Sequence, residues 1–142
     1  MQEEFKILAA AESGNLALFE SLITPTTNFN FVDTNGLSAL MHASANGHIV
    51  VTSSLIQAGA QLDLQDKYGR SALMFAASRN HAEIAQLLIE AGAQLDLQNK
   101  HGATALMIAA YYGHLSTASL LIEAGANITL QEHAGATALA WA

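Results

Sequence analysis

Cysteine is absent from this chain of 142 residues, which rules out disulfides and thiolate chemistry without fixing the compartment. Proline occurs once, at Pro25, in the loose connection of the first segment. Charge is sparse: Asp, Glu, Lys and Arg make up 12% of the residues, and twelve acidic side chains face only five basic ones. A net charge of −7 argues against general nucleic-acid binding, which depends on neutralising phosphates with lysine and arginine. No apolar run approaches the roughly twenty residues of a membrane-spanning helix. Met1 to Ala11 carries Glu3 and Glu4 against Lys6, so the start does not resemble a secretory signal with its basic opening. The cytoplasm is therefore the default expectation; a periplasmic or secreted chain whose leader had been removed would look the same.

What the chain has in abundance is repetition. Gly36, Gly69, Gly102 and Gly135 stand 33 residues apart without drift. After them come Leu37-Ser38-Ala39-Leu40-Met41, Arg70-Ser71-Ala72-Leu73-Met74, Ala103-Thr104-Ala105-Leu106-Met107 and Ala136-Thr137-Ala138-Leu139-Ala140. A polar break ending in His48, His81 or His114 follows in the first three. A second apolar stretch then closes on Ala58-Gly59-Ala60, Ala91-Gly92-Ala93 or Ala124-Gly125-Ala126. A fixed period of this length marks a stack of helical pairs, each unable to bury its apolar face alone. The units are 34–66, 67–99 and 100–132, with a divergent capping unit at 1–33, in which Gly14-Asn15-Leu16 keeps register with Gly47-His48-Ile49, and a partial unit at 133–142.

Local chemistry supports the same division. Ser38, Ser71, Thr104 and Thr137 are suited to N-cap a helix by accepting hydrogen bonds from its first free amides, and the alanine after each favours helix. In the second helix of unit two, Ile84, Leu87, Leu88 and Ala91 fall on one face. Gly59, Gly92 and Gly125 are suited to the left-handed conformation that stops such a helix. Asp63, Asp66, Asp96, Asn99 and Thr129 flank the connections between units, where polar side chains turn the backbone through local hydrogen bonds.

These motifs resemble the ankyrin repeat over nearly the whole chain. The family pattern Gly-x-Thr-Pro-Leu-His-Leu-Ala-Ala is rendered here with Ala39, Ala72, Ala105 and Ala138 for the proline and Met41, Met74, Met107 and Ala140 for the histidine. The resemblance implies an all-α solenoid of stacked helix-turn-helix units with short β-turn connections, serving in protein-protein interaction. It also implies a recognition surface on the concave side, built from the turn that opens each unit and the end of its first helix. Carried over by position, those sites are Thr34, Asn35, Leu37, Ala45 and Asn46; then Lys67, Tyr68, Arg70, Ser78 and Arg79; then Lys100, His101, Ala103, Tyr111 and Tyr112.

That set holds four of the five basic residues and all three tyrosines of the chain. Tyrosine and arginine are enriched at binding hot spots because they offer large amphipathic contact area with directional hydrogen bonds. The expected partner is a protein that is acidic or mixed polar where it touches a patch of Tyr68, Arg70, Arg79, Tyr111 and Tyr112, edged by Lys67, Lys100 and His101. Glu83, Glu90 and Glu123 are expected on the outer helices. An inhibitor or immunity-type protein, and a scaffold or targeting segment of a longer chain, would both use such a patch. The half unit ending in Trp141-Ala142 either caps the stack or leads into such a continuation, and Leu139 and Trp141 would be a site of self-association if exposed.

Six histidines invite a metal hypothesis, but His48, His81 and His114 recur once per unit, so packed helices hold them about 8–10 Å apart. Two imidazoles sharing zinc must each reach within about 2.1 Å of it. Hydrogen bonding to backbone at the inter-helix turn is the expected role instead. His42 stands where Phe75, Ile108 and Trp141 stand in the sister units and reads as a half-buried core residue. Nucleophile elbow, phosphate loop, His-Glu-x-x-His and cysteine pair are all missing, so neither enzyme activity nor a cofactor, metal or small-molecule substrate is expected.

Overall fold

The computed structural model describes residues 2–129. Eight helices run along them in pairs: α1 (Gln2–Ser13) with α2 (Leu16–Leu22), α3 (Ala39–Ala45) with α4 (Ile49–Gln57), α5 (Ala72–Ser78) with α6 (Ala82–Glu90), and α7 (Ala105–Tyr111) with α8 (Leu115–Glu123). Among the described residues there is no strand, only an isolated antiparallel bridge between Val32 and Ser38. The expected all-α stack is therefore present. Thr137, Leu139, Trp141 and the rest of the partial unit lie outside the described residues.

Each first helix begins where its hydroxyl cap lies. Ser38 accepts from the Met41 amide at 3.3 Å, Ser71 from Met74 at 3.3 Å, and Thr104 from Met107 at 3.2 Å. The second helices stop in a common way: the amide of Ala60 donates back to Leu55 O, Ala93 to Leu88 O and Ala126 to Leu121 O. Between donor and helix sits Gly59, Gly92 or Gly125, at φ +88°, +99° and +101°. This closure satisfies carbonyls that the helix would otherwise leave bare, and it also buries Ala60, Ala93 and Ala126. Pro25 occupies the second position of a turn closed by the Thr27 amide on Thr24 O, where its fixed φ is compatible.

First helices stack on first helices and second on second, giving two rows. The core runs unbroken between them through Leu40, Met41, Leu55, Leu73, Met74, Ile84, Leu88, Leu106, Met107 and Leu121. Contacts along the first row are denser than along the second, because alanines such as Ala43, Ala76 and Ala109 let the backbones approach. The first helices and the turns together form one wall of the stack, the side expected to be concave and so its inner wall. On α6 the buried side is Ile84, Ala85 and Leu88, with Leu87 half-buried. Ala91, expected on that face, is instead the exposed C-cap, since the helix has already ended there.

Two of the glycine columns are shaped by contacts between units. At Gly69, φ is +77° and an added Cβ would stand 2.9 Å from the Cα of Asn99, so the next turn could not approach. At Gly47 a Cβ would stand 2.9 Å from Cε1 of His81. Gly47, like Gly14 beside His48, thus leaves room for the imidazole of the following unit.

Candidate binding surface

The inner wall is assembled from turns that lock to one another. In each turn one side-chain oxygen accepts two amides: Asp33 Oδ1 from Asn35 and Leu37, Asp66 Oδ1 from Tyr68 and Arg70, and Asn99 Oδ1 from His101 and Ala103, all at 2.8–3.0 Å. Consecutive turns are joined by Lys67 N donating to Asn35 O and Lys100 N to Tyr68 O, each at 3.0 Å. The residues at the tips, Lys67, Tyr68, Lys100 and His101, are held outward and exposed.

The second carboxylate oxygen explains two other columns at once. Asp66 Oδ2 accepts from both Nε and Nη2 of Arg70 at 2.8 Å, and the Asp66 side chain is fully buried. Asp33 Oδ2 lies 3.1 Å from Nε2 of His42, whose Nδ1 is 4.0 Å from Glu12 on α1. Burial would raise the Asp33 carboxyl, but the Leu37 amide, the His42 ring and the Asn35 amide outweigh it and hold the group below its ordinary range. In the third turn the neutral Asn99 meets Ala103 and Ile108, which carry no charge. A carboxylate is thus matched by a basic side chain either four or nine residues later, and an amide by neither.

Arg70 consequently differs from its expected place among free contact cations. Its guanidinium is tied to buried Asp66 and lies 5.0 Å from the Tyr68 ring centroid and 4.7 Å from that of Phe75. Leu37 is half-buried against the core instead of projecting, and Asn46 donates its amide to Glu12 O at 3.2 Å, binding the cap to unit one. Arg79, the C-cap of α5, is exposed and makes one long contact from Nη1 to Ala45 O at 3.4 Å. Lys67 Nζ stands 5.1 Å from the Tyr68 centroid.

The tyrosines stand well exposed on this wall, at 50% for Tyr68, 59% for Tyr111 and 57% for Tyr112. Tyr111 and Tyr112 meet edge to face at 5.0 Å, and Tyr112 stacks on His114 at 5.9 Å. Between units two and three lies a hollow of about 300 Å³ lined by Arg70, Phe75, Ser78, Arg79, Ile108 and Tyr112, with Met74 and Asn99 beneath. A second, of about 280 Å³, brings His101 to Tyr111 and Tyr112. Lys67, Tyr68 and Lys100 line neither hollow; they stand along the turn edge. Phe75 and Ile108, to which the sequence assigns no part in the surface, line the first hollow; their column, aligned with His42, was the available signal. Glu83, Glu90 and Glu123 are exposed on α6 and α8.

The histidine column bonds backbone, but of the preceding unit: Nε2 of His48 reaches Glu12 O at 2.8 Å, His81 Ala45 O at 3.2 Å, and His114 Ser78 O at 3.2 Å. Among the described residues no three ligating side chains gather as a metal site would require, and no helix is long and apolar enough to cross a membrane. Two family models, both described as ankyrin repeats, match residues 7–99 as three copies and residues 88–142. No curated protein sequence matches the chain.

Proposed function

Since the chain belongs to the ankyrin-repeat family, whose members are generally protein-interaction modules and typically not enzymes, we propose that its inner wall captures a specific protein that is acidic or mixed polar at the contact. The observation that carries this reading is the company kept on one wall. All three tyrosines of the chain project there, half exposed or more, beside Lys67, Arg79 and Lys100 on a molecule of net charge −7. Aromatic rings held by neighbouring rings lose little freedom on contact and desolvate cheaply, which is why such side chains dominate binding energy. An inhibitor that covers a partner's site and a scaffold segment share this capture step.

The test compares affinity capture from source-cell lysate by wild type, by Tyr111→Ala/Tyr112→Ala, and by Glu83→Lys/Glu90→Lys on the outer row, with folding checked by circular dichroism. A protein retained by wild type and the outer variant but lost with the tyrosines supports the reading. Retention by the tyrosine variant and loss with the outer one contradicts it.

A further inference from the structure

We infer that the hollow between units two and three takes a partner segment in which a carboxylate lies about 10 Å from a bulky apolar or aromatic side chain, and that Arg79, not Arg70, reads the carboxylate. This rests on the inner wall being the protein-binding surface, and it assigns different work to two arginines that sequence position treats alike.

Arg70 has committed its Nε–Nη2 edge to Asp66, a carboxylate with a fully buried side chain, so it cannot present that edge to a partner without stranding Asp66. Its contribution is to position the floor, wedged against Tyr68 and Phe75. Arg79 is the opposite case. Among the described residues the ion pairs engage His42 and Arg70, and no carboxylate stands within pairing distance of Arg79. Its 3.4 Å contact to Ala45 O is at the weak limit of a hydrogen bond. Its planar fork can therefore turn to an incoming carboxylate, the geometry that guanidinium matches best.

The rest of the hollow asks for apolar surface. Phe75 and Met74 are buried beneath it, Ile108 is half-buried, and the Ser78 hydroxyl is already spent on Phe75 O at 3.0 Å. Tyr112 forms the far wall, one unit along from Arg79 in the same column. Stacked helices place those two positions about 10 Å apart. An extended chain advances about 3.3 Å per residue, so an acid and an apolar residue three apart would span them.

Random short peptides displayed on phage would be selected against wild type, Arg79→Glu, Tyr112→Ala and the paired variant Asp66→Asn/Arg70→Ala, which copies the Asn99 and Ala103 pattern of the third turn. Enrichment of Asp or Glu near a large apolar residue and about tenfold weaker binding by Arg79→Glu in fluorescence polarisation are expected, with a smaller loss in the paired variant, which removes a guanidinium from the lining of the hollow but keeps Arg79. Reselection against Arg79→Glu should turn the acidic position basic. Peptides without an acidic position, or sensitive to the paired variant but not to Arg79→Glu, overturn the inference while leaving the wall as a protein-binding surface if Tyr112→Ala still weakens them. Peptides indifferent to all three variants count against both, and failure to enrich any sequence also overturns the inference.

Discussion

Replacing Arg70 by Ala leaves one oxygen of Asp66, a fully buried side chain, without its two 2.8 Å donors. Removing one partner of a buried pair typically costs about 3–5 kcal/mol. Here the Arg70 side chain is 41% exposed, so water reaches the vacated position and about 2 kcal/mol is the reasoned cost. Adding Asp66→Asn converts the turn to the pattern already used at Asn99 and Ala103. The amide keeps both backbone bonds through its oxygen and needs no cation. The double variant should therefore be more stable than Arg70→Ala alone, losing about 1 kcal/mol, chiefly the stacking of the guanidinium on Tyr68 and Phe75, which is missing from both. Urea unfolding followed by circular dichroism reads the difference as a higher midpoint for the double variant at equal slope. In thermal unfolding the single variant should melt lower by about 4–8 °C, at 2–4 °C per kcal/mol for a chain of this size. A double variant no more stable than Arg70→Ala would refute the matching of turn charge to wall charge.

Asp33 titrates below its ordinary value of 3.8, so its stabilisation is fully present above that value and is lost as pH falls through the lower folded one. Asp33→Asn should flatten the acid limb of stability against pH, measured by urea midpoints; an unchanged limb would contradict the role given to the turn. Ser44 Oγ and Thr52 Oγ1 are buried without a hydrogen-bond partner, where sister units carry Ala77 and Ala110, and Ala85 and Ala118. Ser44→Ala and Thr52→Val should each stabilise by about 1 kcal/mol, and a lower midpoint in either would show the hydroxyl to be useful. Gly69→Ala should cost more than Gly59→Ala: both have positive φ, worth about 1–2 kcal/mol, but only at Gly69 would the new Cβ meet backbone, 2.9 Å from Asn99 Cα. Equal losses would contradict the turn-packing account.

Much of the fold was legible because its signals are local. A hydroxyl three residues before an amide, or glycine between two alanines at a helix end, produces its hydrogen bonds whatever lies far away, and a 33-residue period repeats the lesson. The histidine column was legible in kind but not in partner, since spacing along the chain does not say that His48 reaches across to Glu12 O in the unit before. Ala91 was misplaced for a related reason: helical periodicity runs on past the point where the Ala91 amide already closes the helix on Leu87 O.

The candidate surface was legible as columns but not as individual commitments. Tyr68, Tyr111 and Tyr112 are exposed, as their positions imply. Arg70 and Arg79 could not be told apart, since that required relating Asp66 to position 70, Asp33 to position 42, and Asn99 to neither. Leu37 sits in the Arg70 column yet folds inward, since the second oxygen of Asp33 is met by His42 and Leu37 has apolar neighbours to join.

The most direct measurement of the central claim is amide hydrogen exchange of the protein alone and in complex with the captured partner. Slowed exchange over the turns at 67–70 and 100–103 and the ends of α5 and α7 at 78–81 and 111–113, with α6 and α8 unchanged, is the result expected of an inner binding wall. Slowing confined to α4, α6 and α8 would place the partner on the outer row and contradict it.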